Sequence, residues 1–468
     1  MMKKKNLLPN NKIPKKPPKS GIYHYQIKTE EFNSRIHLRV EEDGSGFMLL
    51  NANNIYFMNP TAMFMAYLKM EGASPAQIYQ RFKHLYNVEK ADLETDYLYF
   101  ENIFYELSHS TGKCPLCDLH LETLPPNSQV PLAPYRMDLA LSYQCNNNCG
   151  HCYNARPRNF PEMSTAEWKR VLDHCWELGI PHIIFTGGEP TLRKDLPELI
   201  AYAEHLGQIT GINTNGRLLA DKSFVQQLVD AGLDHVQITI ESHDAAVHDQ
   251  MQGVPGVWEQ TVEGIKNTVE SPLYMMTNTT MLSLNHDTIP DTLDFLADLG
   301  VPTVGLNALI HSGRGATSDQ GLHEPQIEAL LEIAKEKTTA HQQRLIWYTP
   351  TQYCHFNPIL QGVGAKGCSA ARYNMCIEPN GDVLPCQSYY QSVGNFLETD
   401  WDEIWHHPLC ESIRNRDYVP QACKACTLLD ECGGGCPLAY TANAYKTPYP
   451  FGDKLPEELE LMSDEIPK

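Results

Sequence analysis

The sequence has no apolar run approaching the roughly 20 residues that a membrane helix needs. Its first 20 residues hold Lys, Asn and Pro where a secretion signal would hold an apolar core. Neither a membrane partner nor export is expected, and the expected location is cytoplasmic. Positive charge is scarce as well. Against 57 Asp and Glu stand 37 Lys and Arg, a formal net charge of −20, and the one basic block is the N-terminal arm. A nucleic-acid groove wants a basic face on the folded body, so no nucleic-acid partner is expected. Internal repeats are absent too. What the chain does have is length, 468 residues, enough for two or three domains. Its 42% hydrophobic content is ordinary for a globular protein. It also has 15 cysteines. Without an export signal these point to metal or catalysis rather than to disulfides. They cluster at 145–152 and over 368–436, with an isolated pair at Cys114 and Cys117.

Residues 1–20 read as a solvated, disordered basic arm. From 21 to 110, strand patterns at Tyr23–Lys28 and Arg35–Val40 alternate as half-buried strands do, and Gly46–Leu50 with Ile55–Met58 reads as a hairpin around Asn51–Asn54. Helical spacing follows over Pro60–Met70, Pro75–Tyr86 and Ala91–Leu107. Residues 111–134, with five prolines, read as a linker. From 135 to 345 strands alternate with helices. The strands are Met137–Tyr143, His182–Thr186, Ile209–Thr214, His235–Glu241, Met275–Met281 and Thr303–Leu309. Six strand–helix units predict a parallel α/β fold, an open sheet or a partial barrel. Chemistry in such folds sits at the C-terminal strand ends. Cys145–Cys152, Gly187–Pro190, Asn213–Gly216, Glu241–Ser242 and Asn307 all fall there. Residues 346–450 are poor in regular patterns and dense in Cys and Gly, which suggests a region held by metal rather than by a large apolar core. Residues 451–468 form a tail.

Cys145, Cys149 and Cys152 lie on one tight loop after the first of these strands. Three thiolates suit a 4Fe–4S cluster, which takes one cysteine per anchored iron and here leaves one iron open. A structural zinc site wants four closed ligands. His151 is the only nearby fourth, and its place between Gly150 and Cys152 turns it away. This loop, with Tyr153 directly after it, resembles the signature of the radical S-adenosylmethionine (SAM) superfamily. The resemblance implies a partial (β/α)6 TIM-like barrel. It also implies a cluster whose open iron chelates SAM, and an adenosyl radical that abstracts hydrogen from substrate.

Gly187-Gly188-Glu189-Pro190 matches the family's second element, in which the glycines give backbone approach and Glu189 offers an acceptor to the SAM ammonium. By the same resemblance Thr239 and Glu241 contact the ribose or methionyl part. Gln252 stands where some relatives carry an arginine for the SAM carboxylate. Asn213 and Asn215 line the pocket or cap the following helix.

Cys423, Cys426, Cys432 and Cys436, with Cys368 and Cys386 ahead of them, resemble the SPASM extension, which houses auxiliary 4Fe–4S clusters. Carried over by position, Cys368, Cys386 and Cys436 bind the nearer cluster, with Cys376 as candidate fourth ligand. Cys423, Cys426 and Cys432 bind the farther one. The pattern's last cysteine is missing, since no Cys follows Cys436. Cys175, Cys354 and Cys410 read as small buried hydrophobes, and Cys114 with Cys117 as an unassigned half-site.

The N-terminal pattern resembles PqqD-like domains, winged-helix-like α+β modules that bind the leader of a ribosomally made precursor peptide; a purely structural module is the alternative. Together these resemblances imply a peptide maturase that forms a thioether or carbon–carbon crosslink. Its partners would be a leader-bearing precursor peptide and a flavodoxin- or ferredoxin-type electron donor. The competing readings are a tetrapyrrole (haem) enzyme, a sulfatase-maturing enzyme, and a non-catalytic zinc or iron–sulfur protein.

Overall fold

In the computed structural model, which describes residues 13–28, 33–51, 54–86, 88–108, 131–155 and 161–442, the first four strands pair in sequence order. They are β1 (Gly21–Lys28), β2 (Asn33–Val40), β3 (Gly46–Leu50) and β4 (Asn54–Met58), all antiparallel. Asn51 takes a left-handed φ of 51° at the β3–β4 turn, and its side-chain oxygen accepts from the Arg35 N–H at 2.8 Å. Three helices follow, α1 (Pro60–Met70), α2 (Pro75–Lys83) and α3 (Lys90–Ser108). Asn59 caps α1 by accepting from the Ala62 N–H, and Ser74 with Gln77 forms a capping box on α2. The apolar face of the sheet, Ile36, Leu38, Met48 and Leu50, packs on Met63, Phe64, Leu68, Ile78 and Phe82.

One expectation fails here. β2 is not half-buried, since Arg35, His37 and Arg39 on its second face are buried too. His37 stacks on His24, and the Arg39 guanidinium lies over Phe47 while pairing with Glu41 at 3.1 Å. The Arg39 charge is thus enclosed beside a carboxylate and an aromatic face. The unpatterned arm up to residue 12, residues 109–130 of the linker with Cys114 and Cys117, and the tail lie outside the described residues.

The described residues form two units. The first is drawn from Met1–Thr123 and His174–Pro181, the second from Leu124–Asp173 and His182–Lys468. The second holds a nine-stranded sheet. Its parallel strands are β5 (Arg136–Ser142), β6 (His182–Gly187), β7 (Ile209–Thr214), β8 (His235–Thr239), β9 (Tyr274–Thr280), β10 (Thr303–Asn307) and β11 (Arg344–Trp347). On the far side of β5 lie β12 (Asn374–Ile377), parallel to it, and β13 (Val383–Leu384), antiparallel to β12. Helices α4 (Thr165–Glu177), α5 (Leu196–Leu206), α6 (Lys222–Asp230), α7 (Ala245–Gln252), α8 (Trp258–Val269), α9 (Ile289–Asp298) and α10 (Glu324–Ala340) alternate with the strands.

The α/β class and the six predicted strands are present, and the sheet exceeds six units at both edges. The Cys-rich region itself contributes β12 and β13. It also has apolar packing of its own, with Phe396, Ile404, Trp405 and Ile413 buried, so metal is not all that holds it. Among the described residues no helix is long and apolar enough to cross a membrane.

Candidate functional site

The loop carrying Cys145, Cys149 and Cys152 leaves the C-terminal end of β5 without regular structure, so its backbone groups need partners from elsewhere. The end of α7 supplies two of them. Asn148 N–H donates to the Gln252 carbonyl at 2.9 Å and Gly150 N–H to that of Met251 at 3.3 Å. The Gln252 side-chain oxygen accepts from the Asn147 amide at 2.7 Å and from the Cys149 thiol at 3.0 Å. Gly253, left-handed at φ 67°, closes α7 against the loop; a Cβ there would stand 2.3 Å from the Asn148 carbonyl oxygen.

The turn after β10 holds the loop from another side. Arg314 N–H donates to the Cys152 carbonyl at 2.9 Å, and its guanidinium to the Asn148 side chain at 2.7 Å. After β7, Arg217 donates to the Asn147 side chain at 2.8 Å and Asn215 to that of Asn146 at 2.7 Å. Asn215 also accepts from Arg217 N–H at 3.1 Å, so it joins the loop and caps the turn at once. Asn213 sits in β7 and faces the same way as Gln237 of β8 across the pair.

Charge accumulates around the three thiols. Burial pushes the Cys149 thiol well above its ordinary pKa, and Cys152, Glu241 and Cys145 add to that in falling order. Glu241, just past β8 and its terminal Thr239, is fully buried. It accepts from Thr280 N–H at 2.9 Å and faces the His151 ring nitrogen at 3.0 Å. His151 therefore turns from the thiols to a carboxylate.

Gly187 and Gly188 do approach backbone closely, but the backbone is that of the cysteine segment. A Cβ on either would stand 2.2 Å from the carbonyl oxygen of Ser142 or Gln144. Glu189 is buried at the ends of β6 and β7. Its carboxylate accepts from Thr191 N–H and hydroxyl at 3.1 and 2.6 Å, the Thr214 hydroxyl at 2.6 Å and Asn215 N–H at 2.8 Å. Three of these donors meet Oε1 and one meets Oε2, so the carboxylate staples the ends of β6 and β7 together and keeps acceptor capacity on Oε2. Burial raises its pKa against the pull of those hydrogen bonds.

Tyr153 is directed at the Cys-rich region, its hydroxyl 3.1 Å from the side-chain oxygen of Gln387. Next to Gln387, Cys386 lies with Cys368 and Cys436: burial raises the Cys368 thiol first, then Cys436 and Cys386. Cys376 is in β12, packed with Ala140 and Leu384, and its thiol is pushed up by burial first and then by Asp138, Glu378 and Cys386. Cys175 and Cys410 are buried, as expected of small hydrophobes. Cys354 is not. It is half-buried, and its thiol is pushed up to about 12 by burial and then by Cys432, Cys423 and Cys426.

Sequence reading missed Arg217 and Arg314. Their signals were Asn-Gly-Arg after β7 and Gly-Arg-Gly after β10, glycine-bearing turns at the chemically active strand ends.

The residues present fit an iron–sulfur cluster with a polar, cationic ligand. Three thiols and a buried carboxylate favour positive charge, and the buried side-chain oxygens of Asn278 and Asn307, near the C-terminal ends of β9 and β10, have no hydrogen-bond partner among the described residues. No three His, Cys, Asp or Glu among those residues converge on a single ion position. A cluster instead asks for one thiolate at each of its irons.

Comparison with known proteins agrees. Residues 139–307 match the radical SAM superfamily, and residues 368–427 the SPASM iron–sulfur cluster-binding domain. An AdoMet-dependent heme synthase of Nitratidesulfovibrio vulgaris is 30% identical over 332 residues, 67% of this chain and 88% of that protein. A PqqA peptide cyclase of Granulibacter bethesdensis is 28% identical over 305 residues, 63% of this chain and 80% of its own. The structure of Streptococcus suis SuiB bound to precursor peptide SuiA superimposes with a TM-score of 0.66 at 20% identity, covering 88% of this chain and 96% of that one. The chain belongs to the radical SAM superfamily, and it is an enzyme whose cofactors are 4Fe–4S clusters and S-adenosylmethionine.

Proposed function

We propose that this radical SAM/SPASM enzyme modifies a ribosomally made precursor peptide, forming a thioether or carbon–carbon crosslink. In this reading residues 21–110 are a PqqD-like, winged-helix-like module for the leader, 135–345 the barrel and 346–450 the auxiliary-cluster region. Cys145, Cys149 and Cys152 hold the SAM cluster. Cys368, Cys376, Cys386 and Cys436 serve one auxiliary cluster, and Cys423, Cys426 and Cys432 another. Bound there, the cofactors supply one-electron cleavage of a sulfonium, hydrogen abstraction from the substrate and a sink for the surplus electron.

The chain's own residues position and shield that chemistry. Arg217, Arg314 and the end of α7 fix the cysteine loop, and Glu189 ties the strand ends beneath it. Asn213, Thr239, Asn278 and Asn307 at the strand ends offer hydrogen bonds to the bound ligand. Electrons would come from a flavodoxin- or ferredoxin-type donor.

One observation carries the peptide reading. β4 ends the order β1-β2-β3-β4, with Ile55 and Phe57 on it 42% and 44% exposed. An edge strand bearing these two exposed apolar side chains suits a peptide added as a further strand. The relatives named for peptide cyclisation and SuiB with its bound precursor support the same substrate class.

The test uses the full-length, anaerobically reconstituted enzyme with peptides encoded by short reading frames beside the gene. Substituting both Ile55 and Phe57 by Asp should weaken peptide binding at least tenfold while SAM cleavage without peptide persists. Unchanged binding and processing would remove the main support. The heme synthase relatives favour a second reading, a tetrapyrrole substrate. It gains the field if propionate-bearing porphyrins lose carboxylate and no peptide is altered.

A further inference from the structure

Residues 437–468 hold no Cys, and the family pattern assigns the farther auxiliary cluster three of the cysteines present, Cys423, Cys426 and Cys432. We propose that Cys354 is the fourth protein ligand of that cluster, completing Cys423, Cys426 and Cys432 from the loop after β11. The inference rests on the auxiliary-cluster reading above and adds a residue that lies outside the motif.

The geometry runs through the residues beside Cys354. Tyr353 N–H donates to the Cys432 sulfur at 3.3 Å, and the Cys432 thiol lies 3.6 Å from the Thr351 carbonyl. Between them, the Gln352 amide reaches the Gly434 carbonyl at 3.5 Å and also the Tyr440 hydroxyl. That hydroxyl stands 3.9 Å from the Cys423 sulfur. Residues 351–353 therefore lie directly against the turn carrying Cys432, and the next residue is Cys354. The electrostatics agree: Cys354 feels Cys432, then Cys423, then Cys426, while Cys432 feels Cys423 and Cys426. Cys368 and Cys386 couple instead with Cys436, so the thiols sort into two separate sets.

A cube with four cysteines has one thiolate for every iron and no open corner. Such a cluster passes electrons and does not chelate substrate. Sequence reading placed Cys354 among inert buried thiols because it is remote in the chain from its partners. Its half exposure fits that role less well than the full burial of Cys175 and Cys410 does.

The test counts metal. Full-length chain with Cys145, Cys149 and Cys152 replaced by Ala is reconstituted anaerobically, leaving the auxiliary sites. Adding C423A/C426A should remove about four irons per chain. Adding C354A should remove the same four, or lose one iron and give a three-iron paramagnetic signal. C354S should shift the cluster's resonance, and C410A should change nothing.

If C423A/C426A keeps all its iron, the auxiliary-cluster reading fails and takes this proposal with it. If that variant loses iron while C354A and C354S match their parent in iron content and spectrum, only the assignment of Cys354 falls. Stoichiometric zinc at these four cysteines would also overturn it. Should C354A not fold, thiol labelling of the unmutated chain decides. Cys354 should be protected when iron is bound and labelled after chelation, with Cys410 protected in both states. Equal labelling of Cys354 in both states refutes the assignment.

Discussion

Gly253 and Gly256 make a matched pair that separates backbone strain from collision at the cysteine loop. Both are left-handed, with φ of 67° and 72°. An alanine at either position pays the left-handed penalty of an L residue, about 1–2 kcal/mol. At Gly256 nothing lies within 4 Å of the added methyl, whereas at Gly253 it would stand 2.3 Å from the Asn148 carbonyl oxygen and 2.8 Å from its carbon. That neighbour is backbone and cannot swing aside, so α7 or the loop must move. Either motion disturbs the hydrogen bonds from Asn148 and Gly150 to α7, each worth about 1 kcal/mol net. G256A should therefore lower the melting temperature by roughly 2–8 °C, at about 2–4 °C per kcal/mol for a domain of this size. It should leave iron content and 5′-deoxyadenosine formation intact. G253A should lose roughly 3–4 kcal/mol by the same sums and retain the SAM cluster poorly. Scanning fluorimetry and iron analysis under argon read both quantities. Equal melting shifts and equal iron retention in the two variants would refute the idea that α7 braces the loop.

Three further outcomes follow from the same geometry. Gln252→Leu removes the buried acceptor shared by Asn147 and Cys149, and should cost about 1–3 kcal/mol in a denaturant midpoint while slowing SAM cleavage; a midpoint and rate equal to the parent's would count against it. His235, within hydrogen-bond reach of His182 at 2.9 Å, has its pKa lowered to about 4, by burial first and then by Arg136. Because the folded value lies below the unfolded one, its contribution is complete above about pH 6.5 and is lost as pH falls towards 4. Up to about 3 kcal/mol of acid sensitivity should disappear in His235→Gln, read as melting temperature against pH; an identical acid limb refutes it. Finally, Arg217→Lys and Arg314→Lys release the same loop from two sides. Their combined effect on iron retention should fall short of the sum by about 0.5–3 kcal/mol, and strict additivity would mean that the two ends of the loop move independently.

Much of the sheet was legible because its strands are apolar runs followed by helical spacing. From Met137 to Leu309 the predicted strands agree with the observed ones to within a residue or two. α7 was missed because its buried face mixes polar with apolar residues, Met251 beside His248 and Gln252. His248 and Gln252 are enclosed there, and His248 accepts from Glu241 N–H at 3.2 Å, so no apolar stripe marks the helix. β11 and β12 are four residues each, too short for any period to register. The cysteine motifs were legible as spacing, whereas the surroundings of Glu189 and Cys354 were not. Glu189 is held by Thr191, Thr214 and Asn215, and Tyr353, the residue before Cys354, meets Cys432 across the fold.

That division has a physical cause at the cysteine loop itself. Spacing fixes which thiols can share a cluster, since three cysteines within eight residues stay together in any conformation. Their orientation is another matter. The loop has no ladder of its own, and its donors and acceptors are matched by Asn215, Arg217, Met251, Gln252 and Arg314, up to 166 residues further along the chain. Loop geometry is therefore a property of the finished sheet, reached only when β7, α7 and β10 are in place. A motif read from sequence names the thiols that share a loop, and the long-range hydrogen bonds decide how those thiols are held.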